Sequence, residues 1–394
     1  MAPSLPTTVA LVLAVMVIAF ASFVQKYSPL DPVSIDFGSR STVGFWKPEF
    51  NLQNLEKIFV GEGPEDVVFD KQGRAYTGCA DGWVKRIELD GRVTNFSFTG
   101  GRPLGLEIRN DLEVMYLADS KLGLYEISLS DGTPHFIANK DDEEGIPMGL
   151  ADAVAITSDG IVYLTDATTK FTMDNSVLDI LEGRPNGRLL KYDPVKKSLT
   201  VVKKNMYFAN GVALSSKEDF LLICETSRSR VMRLWLKGEK EGSLEMFLTG
   251  FPGFPDNVKH HEGKFYIGLV SSRTAFTDWI FSSSIGTQLR RIIPYVPSQI
   301  YDPMALSRQV GRLIVVSEEG QLLRKYEDPT GKVINIVTGG NRFGDYLYVN
   351  SLIAPYIGRI KVGVIRSDIC YLNSTFCTQF LSPSGAIESW DSKA

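Results

Sequence analysis

Four segments of the chain place an oxygen-bearing side chain directly before an apolar run. They are Gly63-Pro64-Glu65, Ala151-Asp152, Ala209-Asn210-Gly211 and Pro255-Asp256-Asn257. A single residue of this kind before a strand is explained by a turn in which the side chain bonds to its own backbone. Four at equivalent places in units far apart in sequence are better explained by a shared site.

The residue types indicate which chemistry that shared site would have. Three carboxylates brought together cannot all stay ionised without a counter-ion. Carboxylate and amide oxygens without His or Cys favour calcium over zinc or copper. We therefore predict a calcium site whose ligands are Glu65, Asp152, Asn210 and Asp256.

The elements that must position these residues are short strands in a repeated order. Six units of apolar strands, separated by Gly and Asp-Gly turns, recur at intervals of about forty residues. This spacing predicts an all-β fold, a six-bladed β-propeller, in which the inner strand of each blade opens at a central channel. The run "NLEKIFVG", Asn54 to Gly61, precedes the first unit, and we predict that it closes the circle by pairing with the last blade.

The chain divides into four parts: a signal peptide or anchor at 1–29, a linker at 30–53, the propeller at 54–362 and a tail at 363–394. An insertion at 275–308 interrupts the fifth unit and has apolar residues at helical spacing, which predicts a lid or rim helix over the blades. A membrane-facing amphipathic surface is the alternative, because Arg290 and Arg291 border the apolar positions.

Residues 7–24 contain no charge and are about long enough to cross a thin bilayer. Ala19-Phe20-Ala21 resembles a signal-peptidase site, but no Lys or Arg precedes the apolar run, so we favour an uncleaved anchor over a cleaved signal peptide. Either way the propeller is expected to be lumenal or extracellular, anchored in the endoplasmic reticulum or plasma membrane. If the segment is cleaved, the vacuole is an alternative destination.

Cysteines and glycosylation signals suit that compartment. Cys370 and Cys377 lie close enough in the tail to close a small disulfide loop. Asn95 and Asn373 begin sequons that would carry glycans in a lumenal glycoprotein. The other two cysteines, Cys79 and Cys224, fall in strand-like runs and are expected to be buried free thiols.

Charge excludes one class of partner. The formal net charge is −4, and the basic residues are scattered along the sequence. Because nucleic-acid binding requires a basic patch or stripe, we expect no nucleic-acid partner.

Several segments together resemble the strictosidine synthase-like and adipocyte plasma membrane-associated protein family, over roughly Leu30 to Val362. They are "GPEDVVFD", "GRPLGL", "MYLADSKLGL", "VYLTDAT", "GRLLKYDP", "FANGVALS", "LKGEKEG" and "GFPDNV". More distantly, the pattern is similar to paraoxonases, squid-type phosphotriesterases and gluconolactonases, six-bladed enzymes with calcium in the channel. The resemblance implies that Glu65, Asp152, Asn210 and Asp256 match their metal ligands, with Asn257 as a fifth.

The chain also departs from these relatives. Asp152 stands where an Asn is usual, and no pair of histidines matches the one that paraoxonases place over the metal. Strictosidine synthase itself uses one glutamate to deprotonate an amine, and Thr338 stands at that place. Because Thr cannot act as that base at neutral pH, alkaloid condensation is not expected.

Two functions remain. The first is a membrane-anchored, calcium-dependent hydrolase of esters or lactones, similar to an arylesterase, with Asp152 or Asp256 as the base that activates water. The second is a non-catalytic propeller that calcium stabilises and whose rim binds a partner.

Overall fold

The computed structural model of the chain describes residues 5–40, 44–297 and 310–363. In this part the strands form six four-stranded antiparallel sheets. Each sheet uses strands that follow one another in sequence, except that one sheet also takes in the first strand of the chain. The predicted six-bladed β-propeller is confirmed.

Helix α1, Leu5–Tyr27, and strand β1, Glu56–Phe59, precede the first blade. Blades one and two contain β2 Val68–Phe69, β3 Ala75–Gly78, β4 Trp83–Ile87, β5 Val93–Phe98, β6 Pro103–Arg109, β7 Val114–Asp119, β8 Gly123–Ser128 and β9 Pro134–Ala138. Blades three and four contain β10 Ala151–Ile156, β11 Val162–Asp166, β12 Gly187–Asp193, β13 Ser198–Met206, β14 Ala209–Leu214, β15 Phe220–Glu225, β16 Arg230–Trp235 and β17 Leu244–Leu248. Blades five and six contain β18 Gly253–His261, β19 Lys264–Ser272, β20 Gly311–Ser317, β21 Leu322–Asp328, β22 Val337–Phe343, β23 Tyr346–Ser351 and β24 Tyr356–Lys361.

The core lies between neighbouring blades, which explains the continuous apolar runs of the inner strands. Both faces of such a strand are covered by protein, so the strand does not need to alternate with polar residues. Leu106 and Leu117 of blade two, for example, pack against Val68, Tyr76 and Val84 of blade one. The same packing repeats between neighbouring blades around the ring and holds the blades rigidly in place.

The circle is closed by the strand that the sequence predicted. β1 pairs antiparallel with β24, with Glu56 opposite Arg359 and Phe59 opposite Tyr356. Glu56 and Arg359 also form an ion pair of 2.7 Å. N-terminal and C-terminal segments therefore share the sixth blade, which removes the free edge that an open ring would expose.

A lid covers the end of the channel at which the inner strands begin. We use this name for residues 28–40 together with α2 Ser176–Glu182, α3 Ala275–Ser282 and α4 Ser284–Ile292. Its apolar centre contains Leu30, Ile35, Phe37, Leu181 and Phe281. Of the segment expected to be a linker, residues 30–40 pack in the lid through these side chains, and Leu52 is buried in the propeller core.

The lid helices confirm the helical part of the predicted insertion, whose residues 298–308 lie outside the described chain. Thr274 and Ser283 cap α3 and α4 by accepting hydrogen bonds from backbone amides, at 3.0 and 2.9 Å. Arg290 is only 1% exposed and donates to the backbone carbonyl oxygens of Val33 and Phe281. It therefore holds the lid together and does not border an outer surface.

α1 is long and apolar enough to cross a membrane, as judged by length and composition. Cys79 and Cys224 are buried free thiols, as expected, and burial raises the pKa of Cys79 to about 11. Cys370, Cys377 and the sequon at Asn373 lie outside the described residues.

Candidate functional site

The inner strands of blades two, three, four and six leave their hydrogen-bond ladder just after the first residue, and that of blade five leaves it after Pro255. The ladder resumes three positions later, at Leu106, Val154, Val212, Val258 and Gly340. A bulge of this kind frees the intervening residues from pairing and redirects their side chains. In blades three, four and five the first freed residue is Asp152, Asn210 and Asp256 respectively, so the register places these three at equivalent positions.

Small residues allow the bulges of adjacent blades to approach closely. A Cβ atom on Gly105 would lie 2.5 Å from the carbonyl oxygen of Asp152. A Cβ on Gly211 would lie 2.4 Å from the backbone nitrogen of Val258. Only glycine fits at such contacts, and the freed residues are consequently drawn toward one region of the channel.

The first blade contributes Glu65 from a slightly different position. Its ladder begins with Val68 opposite Tyr76, so that the residue equivalent to Asp152 is Asp66, and Glu65 comes one residue earlier. The Asn257 side chain nevertheless donates to Oε1 of Glu65, across 192 residues of sequence. Thr338 Oγ1 donates to the Glu65 backbone oxygen at 2.7 Å.

We call Glu65, Asp152 and Asp256 the acid cluster. Their exposed fractions are 2%, 3% and 6%. Burial raises the pKa of Glu65 well above its ordinary value, and the charges of Asp152 and Asp256 raise it further. Burial and the charge of Asp256 likewise raise the pKa of Asp152. The three carboxyls therefore share one poorly solvated space.

Asp256 is the mildest case of the three. Burial raises its pKa to about 7, and a hydrogen bond with the Asn210 side chain acts in the opposite direction by lowering the pKa. Its pKa therefore lies closer to physiological pH than that of a solvent-exposed carboxyl. This carboxyl can therefore exchange a proton readily near physiological pH, which is a property of general bases.

Three buried oxygens at this place have no hydrogen-bond partner in the protein: Glu65 Oε2, Asp152 Oδ1 and Asn210 Oδ1. Buried polar atoms are normally paired, and unpaired ones call for a specific explanation. Their types, carboxylate and amide oxygen, are those that calcium prefers. By donor chemistry the residues fit a hard cation.

The types of donor atom fit a hard cation, but the donor atoms do not form a preassembled metal site. Among residues 5–40, 44–297 and 310–363, no group of three or more His, Cys, Asp or Glu side chains stands at the spacing of a metal site. The carboxyls interact through their charges, and two of the five predicted ligands, Asn210 and Asn257, are amides. Ion binding would therefore have to draw the carboxylates together.

A buried ion pair below the acid cluster was not predicted from sequence. Lys259 Nζ lies 2.9 Å from Asp66 Oδ2 and 3.1 Å from Glu107 Oε2, and it donates to the Leu106 carbonyl oxygen at 2.7 Å. Asp66 also accepts from the Leu106 backbone nitrogen at 2.9 Å. The only sequence signal was the adjacency of Glu65 and Asp66, and nothing local marked Lys259 as its partner.

The lid lies directly over the bulges. Leu104, Leu150 and Phe208 flank the bulges of blades two, three and four and pack together with Ile180 of α2. Phe254, two residues before Asp256, makes an edge-on ring contact with Phe37 of the lid at 5.4 Å. Any ligand of the acid cluster on this side must pass the lid.

The histidines lie away from the acid cluster. His135 is exposed on β9, an outermost strand, and His260 and His261 end β18 at the opposite end of the channel. His260 Nε2 lies 2.9 Å from Glu318 Oε1 and 3.3 Å from Ser216 Oγ. Because both contacts use the same ring nitrogen, these residues do not form a Ser-His-acid relay.

Two surface cavities lie elsewhere on the propeller. One, of about 450 Å³, is at the opposite end of the channel and is lined by residues that include Lys259 and His260. The other, of about 630 Å³, lies between the outer strands of blades six and one. Neither is lined by the acid cluster.

The fold and site can be compared with known proteins. A family model described as strictosidine synthase matches residues 152–239, and one described as strictosidine synthase-like, N-terminal, matches residues 44–87. Protein STRICTOSIDINE SYNTHASE-LIKE 4 of Arabidopsis thaliana is 34% identical over 320 residues, covering 79% of this chain and 83% of its own. The adipocyte plasma membrane-associated protein of Gallus gallus is 30% identical over 355 residues, covering 85% of this chain and 84% of its own.

Solved structures share the architecture at much lower identity. A gluconolactonase from Xanthomonas campestris superposes with a TM-score of 0.56 at 12% identity, covering 85% of this chain and 96% of that one. A regucalcin from Agrobacterium tumefaciens, described as a calcium-binding protein, gives 0.53 at 16% identity, covering 78% and 95%. At these identities the likeness shows the fold alone.

Proposed function

The chain belongs to the strictosidine synthase-like family, and we propose that this member is a membrane-anchored, calcium-dependent hydrolase of esters or lactones. The observation that carries the proposal is the acid cluster with its unpaired oxygens, Glu65 Oε2, Asp152 Oδ1 and Asn210 Oδ1. A cluster of buried carboxyls with raised pKa values is costly to maintain for structure alone and is typical of functional sites. The names of the gluconolactonase and regucalcin among its structural neighbours agree with a lactone and with calcium.

Glu65, Asp152, Asn210 and Asp256 would hold the ion, with Asn257 positioning Glu65 through its side-chain hydrogen bond. Bound calcium would supply a positive charge that polarises the carbonyl oxygen of the substrate. Thr338 fixes the Glu65 backbone and, as a fully buried hydroxyl donor, is not a base.

Asp256 is the first of the two predicted bases to test, because bound calcium would keep its carboxylate ionised, which is the form that accepts a proton. Its carboxylate would take a proton from water while the water oxygen bonds to the carbonyl carbon. The acyl carbon–oxygen bond then breaks, and the proton passes to the departing alkoxide. Asp152 is the second candidate, since the same ion would keep its carboxylate ionised as well.

The test is hydrolysis of phenyl acetate and of an aromatic lactone by the full-length protein in detergent. We expect turnover with calcium, loss of turnover with a chelator, and loss in Asp256→Asn. Asp90→Asn is the matched control, because Asp90 is exposed at a hairpin tip and bonds only to Arg92 among the described contacts. Turnover that survives both the chelator and Asp256→Asn would contradict the proposal.

One observation favours the second function, a non-catalytic propeller that calcium stabilises. The acid cluster is almost completely buried, and the lid packs on the strands that carry it. If this function is the correct one, calcium raises the unfolding temperature while no ester or lactone is hydrolysed. The same preparations distinguish the two functions.

A further inference from the structure

The outer side of the lid helices exposes large apolar side chains. Phe276 and Trp279 of α3 are exposed, and their rings contact each other at 5.8 Å. Ile285 and Leu289 lie four residues apart on α4, hence on one side of the helix, and Ile285 is 63% exposed. We call these four residues with Tyr295, which is also exposed, the lid face.

The charged side chains of residues 275–297 are all paired or buried. Asp278 pairs with Arg273 at 2.5 Å, and Arg290 is buried against backbone carbonyls. Arg291 pairs with Asp31 of the lid at 2.8 Å. The lid face therefore carries apolar side chains and no unpaired charge. Apolar residues that are exposed singly need no explanation, but a contiguous group of them on a protein surface does.

The lid face continues into the apolar N-terminal helix. The Phe23 ring of α1 lies 5.7 Å from the Tyr295 ring, and Val24 is buried. Ser28, the first residue after α1, donates to the Arg291 backbone oxygen at 2.9 Å. Lid and α1 are thus joined by contacts at the point where a membrane-crossing helix would leave the bilayer.

We propose that the lid face rests in the headgroup–acyl boundary of the same bilayer that α1 enters. An amphipathic helix lying in this boundary buries its apolar side by about 5–10 Å. Aromatic residues such as Trp279 and Tyr295 are favoured there because they have both an apolar body and a polar tip. The end of the channel nearest the acid cluster then faces the membrane.

This inference rests on the membrane anchoring in the proposed function and narrows its substrate class. Lys259, Asp66 and Glu107 occupy the channel below the acid cluster, so the substrate approaches from the lid side. A lid in contact with lipid favours esters or lactones that partition into the membrane over freely soluble ones.

Trp279 offers a direct test. The full-length protein is reconstituted in phosphatidylcholine vesicles, with and without bromine in the upper part of the acyl chain, and tryptophan emission is recorded. The difference between wild type and Trp279→Phe isolates the emission of Trp279. Trp235→Phe is the matched control, because Trp235 ends β16 in blade four and donates to Glu245 at 3.0 Å, away from the lid.

We expect the Trp279 contribution to be lost in brominated vesicles and the Trp235 contribution to be equal in both. If the protein floats with the vesicles but its Trp279 emission is unchanged, this inference is overturned and the anchoring stands. A second copy of the chain covering the lid face would give this result. Protein that does not float overturns both. Quenched Trp279 without any ester hydrolysis supports the orientation and removes the hydrolase.

Discussion

Asp256→Asn should be more stable than wild type in chelator and should gain less stability than wild type from calcium. In chelator, the wild-type carboxyl has a pKa of about 7 instead of the ordinary 3.8. Ionising such a group in the folded protein costs up to about 4 kcal/mol relative to the unfolded chain, before relaxation and coupling to Glu65 and Asp152 reduce it. Because Asn carries no charge, the variant should be the more stable protein in chelator above neutral pH.

Calcium should narrow this difference, because it should stabilise wild type more than the variant. An ion that binds only the folded state at a free concentration a hundred times its dissociation constant stabilises wild type by about 2.7 kcal/mol. If loss of one charged ligand weakens the site tenfold, the same calcium concentration stabilises Asp256→Asn by about 1.4 kcal/mol. A larger loss of affinity removes the effect altogether.

The assay is denaturant unfolding of the full-length protein in detergent at pH 7.5, with excess calcium and with chelator. Asp90→Asn makes the same chemical change at an exposed turn and should keep the wild-type calcium response. His261→Ala, at the far end of β18, should also keep it. If Asp256→Asn retains the full calcium response, Asp256 is not a ligand and the reasoning fails.

The same protein in chelator should lose stability as pH rises. A carboxyl with a raised pKa binds more protons folded than unfolded between its two pKa values, so the free energy of unfolding falls from about pH 4 to about pH 7. Calcium binding should release protons in this range, because the ligands must be ionised. Calorimetry in buffers of different ionisation enthalpy measures this release, and an unchanged heat across buffers at pH 6 would argue against the acid cluster as the site.

Three further predictions follow from the propeller and its channel. A chain lacking residues 1–62 should not fold, because it lacks β1, whereas a chain lacking residues 1–28 should fold without detergent. Circular dichroism and gel filtration check both variants. A folded protein without residues 1–62 would refute closure of the ring by β1. Lys259→Met should destabilise by about 3–5 kcal/mol, because it leaves two carboxylates without their buried partner, while Lys217→Met at an exposed turn should be neutral in denaturant unfolding. Mass spectrometry should detect no condensation of tryptamine with secologanin by wild type or by Thr338→Glu, and a product from wild type would overturn the rejection of alkaloid chemistry.

The repeated order of strands and turns was sufficient to predict the architecture. Strand periodicity and turn residues are local properties of the chain, and six similar units that each expose apolar faces have few ways to bury them other than a ring. The unpaired strand at Glu56–Phe59 had to find a partner for the same reason, and β24 provides it. The positions of Asp152, Asn210 and Asp256 could also be predicted, because each precedes an equivalent apolar run.

The partners of these residues could not be predicted, because they depend on contacts between distant segments. Asp66 and Glu65 are adjacent acidic residues in the sequence, yet Asp66 is paired with Lys259 and Glu65 has an unpaired oxygen. Arg290 appeared to border an apolar surface, but the lid folds so that it is buried against Val33. No local pattern fixes how blade one meets blade five or how residues 28–40 meet α4.

The sequence by itself therefore determined the number of blades, the closing strand and the residues that reach the top of the channel. Only the tertiary structure decided which carboxyls are neutralised and which remain a buried cluster, and that the lid joins α1 to the channel. The physical reason is that strand formation depends on near neighbours, whereas the pKa of a buried carboxyl depends on solvent exclusion and on charges hundreds of residues away. Asn257 and Glu65, 192 residues apart, meet only when the ring has closed.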